Sequence, residues 1–127
     1  MQIRQKNPES MSDLQFSVTA TDFSRFQITD LCSLFANALE NAIHACEKIP
    51  TSEKRYITLK VFEKNDRICI NIANNYIQNP VFENEIPTSH EANHGIGVRS
   101  MISVVEKYHG VYGFFTENKE FRFQASL

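Results

Sequence analysis

Four side chains recur along one stretch of the sequence at helical spacing: Asn37, Asn41, His44 and Lys48. Residues three and four apart stand above one another on a helix, so these four share one stripe. Asn is a mediocre helix former, and two of them at i, i+4 call for a reason. One reading is a solvated helix face that happens to carry amides. The other is chemical. Amide oxygens on one stripe suit a hard cation such as Mg²⁺, which keeps most of its waters and binds through substrate phosphates. His44 and Lys48 are then placed to meet phosphate oxygens. About fifty residues later comes Asn93-His94-Gly95-Ile96-Gly97-Val98-Arg99-Ser100, directly before an apolar helical pattern. Glycines ahead of a helix start expose backbone N–H groups and point the positive end of the helix dipole at an anion. A flexible hinge is the alternative. The segment is neither a GxxxxGK[ST] loop nor a GxGxxG after a strand. In this order and at this separation, the two segments read as the halves of a nucleotide site.

The elements that must position them follow from periodicity. Leu14 to Ala20 alternates apolar and polar residues and is expected as a strand. Thr29 and Asp30 are candidate N-caps for a helix. From Leu31 the period becomes helical, with Leu31, Leu34, Phe35, Ala38, Leu39, Ala42, Ile43 and Cys46 on the apolar face. That helix is expected to end near Lys48, before Pro50. Arg55–Phe62 and Ile68–Asn74 read as strands joined by a turn at Lys64–Arg67. Tyr76 to His94 is too long for an ordinary connection and is expected to form a functional loop, a lid over the site. A second helix is expected from Gly97 or Val98 to Lys107, with Met101, Val104 and Val105 buried. His109-Gly110 would end it, glycine being a usual residue just past a helix. Lys107 and His109 read as C-terminal helix charges rather than ligands. Tyr112–Phe115 and Glu120–Leu127 close the chain as a hairpin. The polar stretch 1–13 is expected as a linker or boundary segment, and 14–127 as the domain. Helices with a mostly antiparallel sheet predict an α+β fold, a two-layer α/β sandwich with helices on one face.

Composition narrows the classes. The chain has 127 residues, 42% hydrophobic and 11% aromatic with ten Phe, which fits one domain with a real core. A net charge of −2 with dispersed Lys and Arg gives no basic patch for nucleic acid. Cys32, Cys46 and Cys69 are odd in number and lack CxxC spacing, so reduced buried thiols are expected. There is no apolar run near 18 residues and no signal-peptide core, so no direct membrane contact is expected of these residues.

The string DLCSLFANALENAIHAC, a strand ending in Asn74 and the string HGIGVRSM resemble the N-, G1- and G2-boxes of the GHKL ATP-binding fold. The likeness runs from about Phe16 to Leu127. It is closest to the catalytic domains of sensor histidine kinases, particularly the quorum- and peptide-sensing kinases with degenerate G1-boxes. The resemblance implies a Bergerat-type sandwich that binds ATP with Mg²⁺, and it makes Asn41 the metal ligand. Asn37 and His44 take the catalytic positions. Asn37 stands one turn before Asn41, where the ATPase members carry a general-base Glu; an amide cannot activate water, as suits a kinase. His44 matches a basic position that touches phosphate. Asn74 replaces the acid that accepts from the adenine amino group, a role an amide oxygen can fill. Tyr76 could pack on the adenine edge or in the core. His94, Gly95, Ile96, Gly97 and Val98 form the phosphate-side hinge, and Lys48 completes the nucleotide-binding set. Three features depart from the pattern. Asn74-Asn75-Tyr76-Ile77-Gln78 carries no glycine where DxGxG is usual, Asn93 stands where a Gly often begins the G2 motif, and His90 stands where a Lys is expected before the loop.

Residues 1–14 hold no His and no helical pattern, and none of the four His sits in an acceptor context. The phosphoacceptor is therefore expected on upstream dimerisation helices of a parent kinase, with onward transfer to a response regulator. By the same resemblance the domain is cytoplasmic and the parent membrane-anchored. Two other readings share the fold: an anti-sigma-factor-type serine kinase, and a non-catalytic dimerisation or scaffold module.

Overall fold

The computed structural model describes the backbone of residues 2–7, 12–88 and 94–127, and the side chains of 13–88 and 97–127. Six strands form one sheet. β1 (Gln2–Asn7), β2 (Ser12–Val18), β3 (Arg55–Lys64) and β4 (Arg67–Asn75) lie side by side; β8 (Glu120–Ser126) follows and β7 (Val111–Glu117) ends the sheet. Only β2 and β3 pair parallel; the other neighbours are antiparallel. The parallel pair needs a crossover, and α1 (Ile28–Glu47) supplies it. The second helix is α2 (His94–Lys107), and a separate two-stranded hairpin pairs β5 (Val81–Glu83) with β6 (Ile86–Thr88).

Alternation decides which face is covered. Ile57, Leu59 and Val61 of β3, Ile70 and Ile72 of β4, and Phe123 and Ala125 of β8 are buried under the helices. Their neighbours Thr58, Lys60, Asn71, Arg122 and Gln124 lie on the other, open face. The expected two-layer α+β sandwich, helices on one face, is the fold. From α1, Leu34, Ala38, Ala42 and Cys46 form the buried stripe, four residues apart. Two alanines there let the helix approach the sheet closely. From α2, Val98, Met101, Val104 and Val105 are buried.

The hairpins follow turn chemistry. Asn65–Asp66, Asn84–Glu85 and Asn118–Lys119 all have positive φ at both positions. That is the two-residue geometry whose twist matches the strands it joins.

Several expectations change. Neither Thr29 nor Asp30 caps α1. The helix opens at Ile28 behind Gln27, which makes no side-chain cap, and the Tyr108 hydroxyl accepts from Gln27 N–H at 3.0 Å instead. Ile43 is 46% exposed, so it leaves the apolar stripe. Cys32 is exposed, while Cys46 is buried. α2 begins at His94, so the glycine segment 94–97 is its first turn rather than a loop before it. At its far end His109 takes the positive φ expected of Gly110. Gly110 is required by space: a Cβ there would sit 2.5 Å from Ser126 O and 3.0 Å from Val105 Cγ1. The connection from Tyr76 contains the β5–β6 hairpin, anchored by Phe82 stacked 6.1 Å from Phe121. Within the stretch 1–13, Gln2–Asn7 pair with β2 as an edge strand.

Candidate functional site

The end of α1 is held firmly, which matters because the amide stripe runs to it. The buried Arg55 donates from Nε to Ile49 O at 2.9 Å and from Nη2 to Glu47 O at 3.3 Å, and Nη2 also reaches Ile49 O. These bonds satisfy carbonyls at and just past the helix C-terminus with a positive charge. Asn75 ties the strand ends above it. Its Oδ1 accepts from Tyr56 N–H at 2.9 Å and its Nδ2 donates to Lys54 O at 2.8 Å.

A cavity of about 280 Å³ opens between α1 and the chain that follows β4. Asn41, His44, Ala45 and Lys48 form one wall. Opposite them stand Tyr76, Gln78, Asn79, Pro80 and Val81, with Pro87 and Thr88 from the hairpin. Val98 of α2 and Phe121 of β8 complete the lining. The described lining holds two basic side chains, several amides and no carboxylate, which suits an anion. Its prolines, Val98 and Phe121 offer an apolar surface to a flat ring.

Asn41 is half-buried, and its Nδ2 faces the Met101 thioether at 3.8 Å. A thioether can only accept, so the amide nitrogen takes that side and Oδ1 is the atom available to a cation. No cluster of three His, Cys, Asp or Glu occurs among the described residues. A cation placed at Asn41 would need water and the phosphates of a ligand to complete its shell. Asn74 is 2% exposed. It sits opposite Ile57 and Phe121 on the covered face of the sheet, and its Nδ2 donates to Asn75 O at 3.0 Å. That leaves Oδ1 as the acceptor of a buried polar group on the same sheet face as Phe121. Tyr76 is a wall residue rather than a core one, with Lys119 Nζ 5.9 Å from its ring centre.

Asn41, His44, Lys48, Tyr76 and Val98 thus come together around one cavity. Asn74 is not in its lining, and Asn37 does not join them either. Its Nδ2 donates to Ser33 O at 2.8 Å and Ser33 Oγ at 3.3 Å, and its Oδ1 faces Gly97. Gly97 takes no positive φ; it is small because a Cβ would come within 3.1 Å of Asn37 Oδ1. The side chains of His94 and Ile96 and the surroundings of Gly95 lie outside what the structure describes, as do His90 and Asn93. Sequence reasoning covers Gln78, Asn79, Pro80, Pro87 and Thr88 only as part of an expected lid, Tyr76 to His94, and does not single out Phe121 as a wall residue. Pro80 and Pro87 bracketing a turn were the one available signal.

A larger hollow, about 510 Å³, lies on the open face of the sheet. Its lining includes Arg122, whose Nε is buried with no hydrogen-bond partner. Arg122 pairs with Glu120 at 2.8 Å, and the Tyr56 hydroxyl donates to the same carboxylate. Burial, then Glu120, pushes the Tyr56 phenol up to about 12, so it remains a donor. This hollow is formed by strands of one sheet, whereas the smaller cavity lies between opposed elements that can grip a ligand from two sides. The smaller one is the better candidate site.

A family model described as the GHKL domain matches residues 26–127. Among solved structures, the chain is similar to the catalytic domain of histidine kinase ThkA in a nucleotide-free form. That match has 16% identity and a TM-score of 0.70, covering 93% of this chain and 80% of that one. It is also similar to the mycobacterial sensor histidine kinase MprB, at 15% identity and a TM-score of 0.68, covering 94% and 83%. The histidine kinase domain of the Erythrobacter litoralis EL346 blue-light activated kinase matches at 10% identity and a TM-score of 0.67, covering 88% and 49%. No curated protein matches the sequence.

Proposed function

The chain belongs to the GHKL domain family, and on that premise we propose that it is the ATP-binding catalytic domain of a sensor histidine kinase. One observation carries the reading: Asn41, His44, Lys48 and Tyr76 surround a single cavity whose described lining has basic and amide groups but no carboxylate. ATP lies there with its base toward Asn74 and Tyr76 and its phosphates toward α1. The buried Asn74 Oδ1 accepts from the adenine amino group. His44 and Lys48 meet phosphate oxygens, and the backbone of Gly95, Ile96, Gly97 and Val98 faces the phosphate chain from the start of α2. Asn41 Oδ1 would hold Mg²⁺, which would supply neutralising charge to the phosphates. No carboxylate base stands beside Asn41 on its stripe, so the site binds ATP without activating water.

Ligand cavities run from roughly 300 to 1,000 Å³, and this one is about 280 Å³. The acceptor in this reading is a His on separate helices of a parent kinase, with a response-regulator Asp beyond it. No described helix is long and apolar enough to cross a membrane.

Calorimetric titration with a non-hydrolysable ATP analogue, with and without Mg²⁺, tests the proposal. Micromolar to sub-millimolar binding that strengthens with Mg²⁺ is expected. No binding up to several millimolar in a folded sample would replace this reading with the non-catalytic module.

A further inference from the structure

Gly97 sits in the first turn of α2 with ordinary negative φ, so backbone freedom does not explain it. Its surroundings do. A Cβ built there would lie 3.1 Å from Asn37 Oδ1, with Asn37 Cγ at 3.8 Å and Cβ at 3.9 Å. Whether that contact matters depends on whether Asn37 can move aside. It is doubly tethered: Nδ2 donates to Ser33 O at 2.8 Å and to Ser33 Oγ at 3.3 Å, one turn back on the same helix. The amide is thus fixed across the α1–α2 crossing, and any side chain larger than hydrogen at position 97 pushes against it. One residue further along, Val98 is buried and lines the candidate nucleotide cavity. One turn further along α1, Asn41 lines the same cavity and contacts Met101 of α2.

We propose that Asn37 is a positioning residue, whose tethered amide against Gly97 sets how closely the first turn of α2 approaches α1 at the mouth of the cavity. The inference rests on the nucleotide-site reading for its consequence, but its geometry is independent of it. Asn37 touches no ligand in this account. It acts through Gly97, by fixing the distance between the helix carrying Asn41 and the helix end that faces the phosphates.

The test is a rescue cycle on the same domain: Gly97→Ala, Asn37→Ala and the double variant. In an unencumbered helix, Gly→Ala is stabilising. Here Gly97→Ala is expected to weaken binding of the Mg²⁺-loaded ATP analogue by about tenfold, the scale set by overpacking and by small misplacements at a site. Asn37→Ala alone is expected to weaken it by about threefold, because the first turn of α2 loses the stop that locates it. The double variant, with room restored for the methyl, should recover most of the loss. Unchanged affinity in Gly97→Ala, or a double variant as weak as Gly97→Ala, overturns the proposal. Amide hydrogen exchange across 97–101 without nucleotide is measured alongside. Protection should fall in Gly97→Ala and return in the double variant. If the parent domain binds no nucleotide, the site reading fails, and the exchange result alone decides the positioning role: loss and rescue uphold it, and unaltered protection overturns it.

Discussion

The two ends of α2 are attached to α1 by different means. At the C-terminal end the attachment is polar and aromatic. Lys107 Nζ pairs with Asp30 Oδ2 at 2.8 Å and reaches Gln27 Oε1 at 3.3 Å. Tyr108 donates to Asp30, accepts from Gln27 N–H and packs its ring edge-on to Phe26, centres 4.8 Å apart. At the N-terminal end, among the described residues, the attachment is a glycine against a tethered amide. The bonds described at the far end are specific, whereas Gly97 is located by shape.

Substitutions at the C-terminal end of α2 should therefore cost stability, while those at Gly97 should cost affinity. The largest effect is expected from Gly110→Val, whose Cβ would meet Ser126 O and Val105 Cγ1. A loss of about 3 kcal/mol in urea unfolding is expected, the upper range for overpacking. A loss below about 0.5 kcal/mol would show that the end of α2 is not pinned. Tyr108→Phe removes a hydroxyl that both gives to Asp30 and receives from Gln27 N–H. A loss of about 1 kcal/mol is expected, with nucleotide affinity unchanged. A variant of full stability but weaker binding would reverse the comparison.

The smallest effect concerns pH. Hydrogen bonds from Lys107 and then Tyr108 hold the Asp30 carboxyl below its ordinary value of 3.8. The bond to Asp30 raises Lys107 above 10.5. A depressed carboxyl contributes above its unfolded pKa and loses that contribution as pH falls through its folded value; a raised amine loses it as pH rises through its own. The clamp is thus intact between about pH 4 and pH 10.5. The difference in urea midpoint between the parent and Asp30→Asn should shrink as pH is lowered from 7 to 3. A difference that stays constant would mean the ion pair contributes nothing.

How much of this was legible in the sequence depends on the length scale of the signal. The long periodic elements were: α1, β3, β4 and most of α2 follow from spacing, and the amide stripe Asn41, His44, Lys48 does reach one cavity. Short or polar elements were not. Gln2–Asn7 contains one apolar residue, so an edge strand there has no alternation to reveal it. The β5 and β6 strands are three residues each, too short for any period. Asp30 carries a cap signal, but α2 claims its carboxylate, a partner 77 residues away in the sequence. The glycines at 95 and 97 read locally as a break, yet the helix runs through them. Gly97 is small because α1 lies against it, a tertiary fact that no local rule contains. For the same reason Asn37 shares the helical stripe of Asn41 but not its cavity.

The most direct test of the central claim is titration of the ATP analogue into the parent domain and Asn41→Ala, each with Mg²⁺ and with a chelator. Asn41 is half-buried and lies off the apolar stripe, so the variant should keep its melting temperature within about 2 °C, as surface changes usually do. Mg²⁺ is expected to tighten binding to the parent, and Asn41→Ala is expected to remove this Mg²⁺-dependent gain. Equal affinity of parent and variant in the presence of Mg²⁺ would contradict it.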